Sequence, residues 1–199
     1  MTEKQNDDLQ LWLLLKQGDE DAFALLFDKY HTTLYNYGIK LSPGKPYLVE
    51  DAIQDLFIDL WRLRGGLTEE VESVRFYLYR SLRRKIHLAL KKEPFSDLPE
   101  AGFEKTLLTQ TSPESLLIHE ETMCLQKARL EELIHRLPER QLEAITLRYF
   151  EDFSITEIAR IMEVNEKSVR NFLYKALVTL RSNRHWLVLS MLMAADLAY

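Results

Sequence analysis

Residues 158–181, IARIMEVNEKSVRNFLYKALVTLR, decide the fold. They read as two short helices separated by a tight break. Just ahead, SITE at Ser154 to Glu157 has the form of a capping box: the serine oxygen accepts from the Glu157 amide, and the Glu157 carboxylate returns to the serine amide. Ile155, Ile158, Ala159 and Met162 give the first helix an apolar face. Asn165 stands as N-cap of the second, with Val164 and Val169 spaced as a hydrophobic staple. Beyond that cap Val169, Leu173, Ala176, Leu177 and Leu180 fall on one face, and Lys167, Arg170, Asn171, Tyr174, Lys175 and Arg181 on the other. Phosphates attract lysine and arginine, while Arg, Lys and Asn read base edges, so this outer face, with Ser168 in its first turn, suits a helix lying in a DNA groove. A solvated basic helix face has the same pattern, and periodicity alone leaves the two readings open.

The rest of the chain narrows the choice. Its 199 residues allow one modest domain or two small ones, and 46% hydrophobic with 29% charged residues is the composition of a soluble globular protein. The net charge of -5 argues against a surface that binds nucleic acid everywhere. Charge is instead segregated. RFYLYRSLRRKIHLALKK, from Arg75 to Lys92, carries Arg75, Arg80, Arg83, Arg84, Lys85, Lys91 and Lys92 without an acid. VEDAIQDLFIDLW, from Val49 to Trp61, carries Glu50, Asp51, Asp55 and Asp59 without a base. Neighbouring segments of opposite sign imply two different partners, or a fold that pairs them. The lone Cys124 forms no internal disulfide, and no Cys/His group has metal-ligand spacing. The acidic, polar start MTEKQNDDLQ lacks the features of a secretion signal, so a cytoplasmic location is expected.

Helical periodicity runs from about Leu9 to Leu41 through Leu11, Leu14, Leu15, Ala22, Phe23, Leu26, Phe27, Tyr30, Leu34 and Tyr37, with a helix start at GDEDAF. SPGKP, Ser42 to Pro46, reads as a loop. A helix from about Leu48 to Leu63 ends at Gly65 and Gly66, and another covers roughly Ser73 to Lys91. Pro94, Pro99 and Gly102 mark a break. Ser112 and Pro113 then supply the N-cap and first position of a helix reaching about Arg136, followed by one from Pro138 to Tyr149. Strand-like alternation is absent. The expectation is an all-α chain of two small helical domains: residues 8–92, a flexible linker at 93–112, a helix-turn-helix domain at 113–184, and an apolar tail at 185–199.

Here the residues carry a resemblance. LPERQLEAITLRYFEDFSITEIARIMEVNEKSVRNFLYKALVTLR resembles the C-terminal promoter-binding domain, region 4, of bacterial RNA polymerase sigma factors, in particular the extracytoplasmic-function (ECF) group. The matching elements are the LP start, the helix ending in LRYFE, the S-x-x-EIA segment and the SVR-x-x-L-x-KAL-x-x-LR run. GDEDAFALLFDKYHTTLYNYG and VEDAIQDLFIDLW resemble region 2, the latter matching an acid-rich D-x-x-Q-x-x-F-x-x-x-W pattern. The resemblance covers about residues 10 to 184, with both domains in the family's order.

The resemblance implies roles for particular residues. The acidic helix, through Asp51, Gln54, Asp55, Phe57, Ile58 and Trp61, would dock on the clamp coiled coil of core RNA polymerase; on the residues alone, the acids are equally a solvated face or one paired with the basic helix. The basic helix would hold the melted, single-stranded promoter element through Phe76, Tyr79, Arg80, Arg83, Arg84 and Lys91, although several aromatics of so small a domain belong to its core. Lys167, Ser168, Arg170, Asn171, Tyr174 and Lys175 would contact the upstream duplex element. An inhibitory anti-sigma factor is a further partner implied.

The chain departs from the family at Glu163, where glycine is usual; a left-handed backbone there would cost roughly 1 kcal/mol. Phe172 replaces a commonly polar or basic side chain, so a promoter sequence does not carry over. The tail WLVLSMLMAADLAY is shorter than the roughly 20 residues that span a bilayer, so no stable membrane insertion is expected. It reads as a helix packed on the C-terminal domain, a patch for an anti-sigma partner or self-association, or a membrane-surface contact. No nucleophile, metal cluster or phosphate-cradling loop accompanies the carboxylates, so neither an enzyme nor a cofactor is expected. Two other readings remain: a stand-alone helix-turn-helix regulator, and a polymerase-binding adaptor that does not read promoters.

Overall fold

The computed structural model describes residues 3–92, 134 and 136–182. The linker expected at 93–112, nearly all of the helix expected from Ser112 to Arg136, Cys124 and the tail at 185–199 lie outside them. Every regular element among the described residues is helical, and the chain divides into two compact units, the first of which takes in residues 156–165 as well as the N-terminal helices; the helices follow in chain order.

The N-terminal helices are α1 (Glu3–Gln17), α2 (Glu20–Leu41), α3 (Pro46–Arg62) and α4 (Val74–Lys92), with one 3-10 turn at Arg64–Gly66. Helix α1 stops where Gly18 takes φ +91, a conformation open to glycine, and the Gly18 amide donates to the Leu15 carbonyl at 2.9 Å. The next residue starts α2: the Asp19 carboxylate accepts from the Ala22 amide at 2.8 Å, with Glu20 and Asp21 in the first turn where the helix dipole favours acids. The start expected at GDEDAF therefore has a specific cap. Pro46 opens α3, and Ser73 opens α4 by accepting from the Phe76 amide at 3.2 Å.

Each helix buries one stripe. Helix α2 contributes Leu26, Tyr30, Leu34 and Tyr37, α3 Val49, Ile53, Leu56 and Leu60, and α4 Leu78, Tyr79, Leu82 and Ile86. At Gly38 the helices come so close that an added Cβ would lie 2.4 Å from Val49 Cγ1, so this mid-helix glycine serves packing. Helix α1 is fastened by Trp12, fully buried, whose indole N–H donates to the Thr68 carbonyl at 2.9 Å. Asp8, only 8% exposed, accepts from Lys29 Nζ at 2.5 Å and from the Tyr30 hydroxyl. Burial, then the bond to Asp8 and its charge, push the Tyr30 phenol well above its ordinary range.

In the C-terminal part, α5 (Glu139–Ile145) starts after Pro138 and continues as a π-helical turn, Thr146–Phe150, closed by the Glu151 amide donating to the Thr146 carbonyl at 3.1 Å. The α-helix expected to reach Tyr149 thus widens after Ile145. Leu147 stays fully buried, while Tyr149 and Phe150 emerge at 38% and 56% exposure. Helix α6 (Ile155–Met162) and α7 (Glu166–Ser182) follow, with Glu163 between them at φ +56. The α5 helix packs on α7.

Candidate nucleic-acid and partner interfaces

Helix α7 begins immediately after Asn165, the expected cap. Val169, Leu173, Ala176 and Leu180 are buried, and Lys167, Arg170, Asn171, Tyr174 and Lys175 are exposed, with Ser168 half-buried beside them. All six residues proposed for duplex contact thus lie on or beside one solvent-facing stripe. Tyr174 is 68% exposed. Arg170 reaches back one turn to Glu166 at 2.8 Å, an exposed pair whose worth is small.

Helix α4 divides its candidates. Arg80, Arg84 and Lys91 are exposed and recur at helical spacing, with Leu88 on the same stripe at 48% exposure. Phe76, Tyr79 and Arg83 are buried, at 7%, 0% and 4% exposure, and this corrects their expected place at a strand-binding surface. The cause is helical phase: they share the inner side with Val74, Leu78, Leu82 and Ile86. Tyr79 packs on Tyr37 at a ring separation of 5.1 Å, so its ring has a neighbour within the core.

Helix α3 presents Asp51, Gln54, Asp55 and Ile58 to solvent, with Trp61 half-buried at the edge. Phe57, expected on this surface, is 3% exposed and makes edge contacts with Phe27 at 4.9 Å and Phe23 at 6.0 Å. That is a second correction, again set by phase. Asp59 is bound by Lys85 of α4 at 2.5 Å, so the pairing of acidic and basic helices read as an alternative holds at this one acid. Asp51 and Asp55 continue the outward face.

Beside that face lies an open groove of about 400 Å³, lined by Glu20, Phe23, Ile58, Trp61 and Arg62. Phe23 and Trp61 pack at 5.2 Å. The Arg64 guanidinium lies 4.2 Å from the centre of the Trp61 ring. Sequence reasoning had Ile58 and Trp61 but missed Glu20, Phe23, Arg62 and Arg64. Phe23 was read only as a core-side position of α2, and Arg64 was hidden by the two glycines read as a helix stop.

Two family models match this chain, Sigma-70 region 2 over residues 26–94 and Sigma-70 region 4 over residues 127–180, together more than half of it and in that order. The chain belongs to the sigma-70 family, in its ECF group. Among its relatives, the ECF RNA polymerase sigma factor BldN of Streptomyces coelicolor is 28% identical over 164 residues, which cover 82% of this chain and 60% of BldN. The RNA polymerase sigma-H factor of Pseudomonas aeruginosa is 29% identical, covering 86% of this chain and 91% of that one. SigW of Bacillus subtilis, an ECF RNA polymerase sigma factor, is 26% identical, covering 84% and 91%. Of solved structures, CnrH in complex with the cytosolic domain of CnrY aligns with TM-score 0.58 at 18% identity, covering 88% of this chain and 96% of CnrH. The sigma factor RpoE of Bartonella quintana, in complex with the anti-sigma factor NepR, aligns at 0.55 and 17%, covering 80% and 94%. Both show the sigma fold. In this sigma factor, α3 and α4 fall within the region 2 match, and α5, α6 and all but the last two residues of α7 within the region 4 match. No described helix is long and apolar enough to cross a membrane.

Proposed function

We propose that this sigma factor binds core RNA polymerase, directs it to promoters and holds the melted strand, acting in the cytoplasm without catalysing nucleotidyl transfer itself. The observation that carries this reading is the division of α7, with its aliphatic side buried and Lys167, Arg170, Asn171, Tyr174 and Lys175 exposed, in a chain that also exposes an acid-striped helix. Cations and an amide aimed outward from a buried spine supply phosphate and base-edge contacts at once.

In this reading residues 8–92 form the polymerase-binding and strand-holding domain and 113–184 the duplex-reading domain. Asp51, Gln54, Asp55, Ile58 and Trp61 meet the polymerase. Arg80, Arg84 and Lys91 neutralise the phosphates of the unpaired strand, and α7 reads the upstream duplex. An anti-sigma factor that covers the same faces would block all three contacts.

The test is transcription-start mapping with purified core polymerase on genomic fragments, with and without the protein. New starts that share two spaced upstream elements are expected. Core binding without new starts would leave a polymerase-binding adaptor, and tight duplex binding that needs no polymerase would leave a stand-alone regulator.

A further inference from the structure

Arg64 belongs to none of the contacts assigned above. It lies two residues beyond the end of α3, in the 3-10 turn Arg64–Gly66, and does two things to one residue. Its guanidinium sits 4.2 Å from the centre of the Trp61 ring, and its Nη1 donates to the Trp61 carbonyl at 2.7 Å. Phe23 packs on the same indole at 5.2 Å with the rings tilted by 54°. The guanidinium runs beside Gly18, where an added Cβ would come to 3.4 Å from Nε.

A half-exposed tryptophan at a helix end has several rotamers open to it, and a partner that needs one of them must bear the cost of selecting it. Here a cation and an aromatic ring select it in advance. We propose that Arg64 is a positioning residue: by stacking on the indole and holding the carbonyl of the same residue, it fixes Trp61 as one wall of the groove, shaped to receive an apolar side chain of the polymerase. This inference rests on the docking reading above. Arginine suits the task because its planar fork stacks and donates at the same time, whereas a lysine ammonium keeps the charge and gives up the planar stack.

The test uses the full-length protein labelled with 5-fluorotryptophan, which carries three tryptophans. The Trp61 fluorine resonance is assigned by its loss in Trp61→Phe. Arg64→Ala is expected to move or broaden that resonance, leave the Trp12 resonance in place, and weaken core-polymerase binding about five- to tenfold, with Arg64→Lys intermediate. In a Trp61→Ala background Arg64→Ala should cost nothing further, because its effect passes through the indole. A Trp61 resonance unmoved by Arg64→Ala, or an equal loss of affinity in the Trp61→Ala background, would overturn the proposal. Should Arg64→Ala fail to fold, Arg64→Lys carries the same comparisons. Trp61→Ala that binds core polymerase normally would sink the docking reading instead, and the fluorine spectrum would still decide whether Arg64 positions the ring.

Discussion

Helices α4 and α7 are both basic, both carry tyrosine among their cations, and both were read from sequence as touching DNA, yet the fold treats them differently. On α7 the inner stripe is aliphatic, so its polar candidates all lie on or beside the outer stripe. On α4 the inner stripe includes Phe76, Tyr79 and Arg83, and half of the candidate set is buried. Residue type announces the surface only where the core is built from something else. A helical unit this small draws on aromatic rings to fill its interior, as the buried Trp12, Tyr37 and Tyr79 show.

The widest separation between the two helices is expected from removing a tyrosine from each. Tyr79→Ala empties a fully buried site against Tyr37 and should cost about 3 to 5 kcal/mol in urea unfolding. Tyr174→Ala, at a position 68% exposed, should change stability by no more than about 0.5 kcal/mol while weakening duplex binding by the assembled holoenzyme. Equal destabilisation by the two would erase the distinction. Next come the cations. Arg170→Ala should weaken promoter binding by about 1 to 3 kcal/mol if it reads a base edge, with sequence discrimination relaxed at one position. Arg84→Ala should leave discrimination intact and lower the salt slope for single-strand binding by about 0.7. A base-specific loss from Arg84→Ala would break the contrast.

These same helices show what the chain discloses before folding. Two helix starts were legible because the punctuation is chemical: Asp19 caps, and the run from Ser73 begins a helix at Val74, whereas Pro46, which the sequence assigns to a loop, in fact opens α3 two residues ahead of the expected start at Leu48. The solvent-facing set of α7 was legible because its polarity and its phase agree. Phe57 was not, since an aromatic at the border of an amphipathic face suits either the core or a partner, and one helical step decides which. The groove was the least legible. It joins Glu20 and Phe23 of α2 to Ile58, Trp61 and Arg62 of α3, more than 30 positions apart in sequence, and only packing brings them together. The widened turn at Thr146–Phe150 was also missed, for the apolar residues there are as consistent with an α-helix.

A smaller effect, at Tyr30 of α2, depends on pH. Tyr30 keeps its proton against Asp8 with a pKa raised above that of an unfolded tyrosine. Its contribution is therefore complete below about pH 10, where the unfolded phenol is also protonated, and falls away as pH rises beyond that, because only the unfolded chain then releases the proton. Tyr30→Phe should cost about 1 to 2 kcal/mol at neutral pH and flatten the alkaline limb of stability against pH, measured by urea midpoints from pH 8 to 11. An unchanged limb would show that burial and the bond to Asp8 do not hold the proton.

The smallest expected change lies in two left-handed turns that the chain solves in opposite ways. Gly18, at φ +91, ends α1 with the residue that adopts this backbone without a steric cost, whereas Glu163, at φ +56, turns the chain between α6 and α7 with a side chain that resists it. The strain at Glu163 is roughly 1 kcal/mol, and glycine would remove it, but glycine also gives the unfolded chain more freedom, worth about 0.4 to 1 kcal/mol in the other direction. The difference favours Glu163→Gly by up to about 0.6 kcal/mol in a urea titration. Gly18→Ala should move stability the other way. A loss of stability on Glu163→Gly would mean that the glutamate side chain contributes more than its backbone costs, and the departure from the family's glycine would then be an adaptation of this turn rather than a tolerated strain.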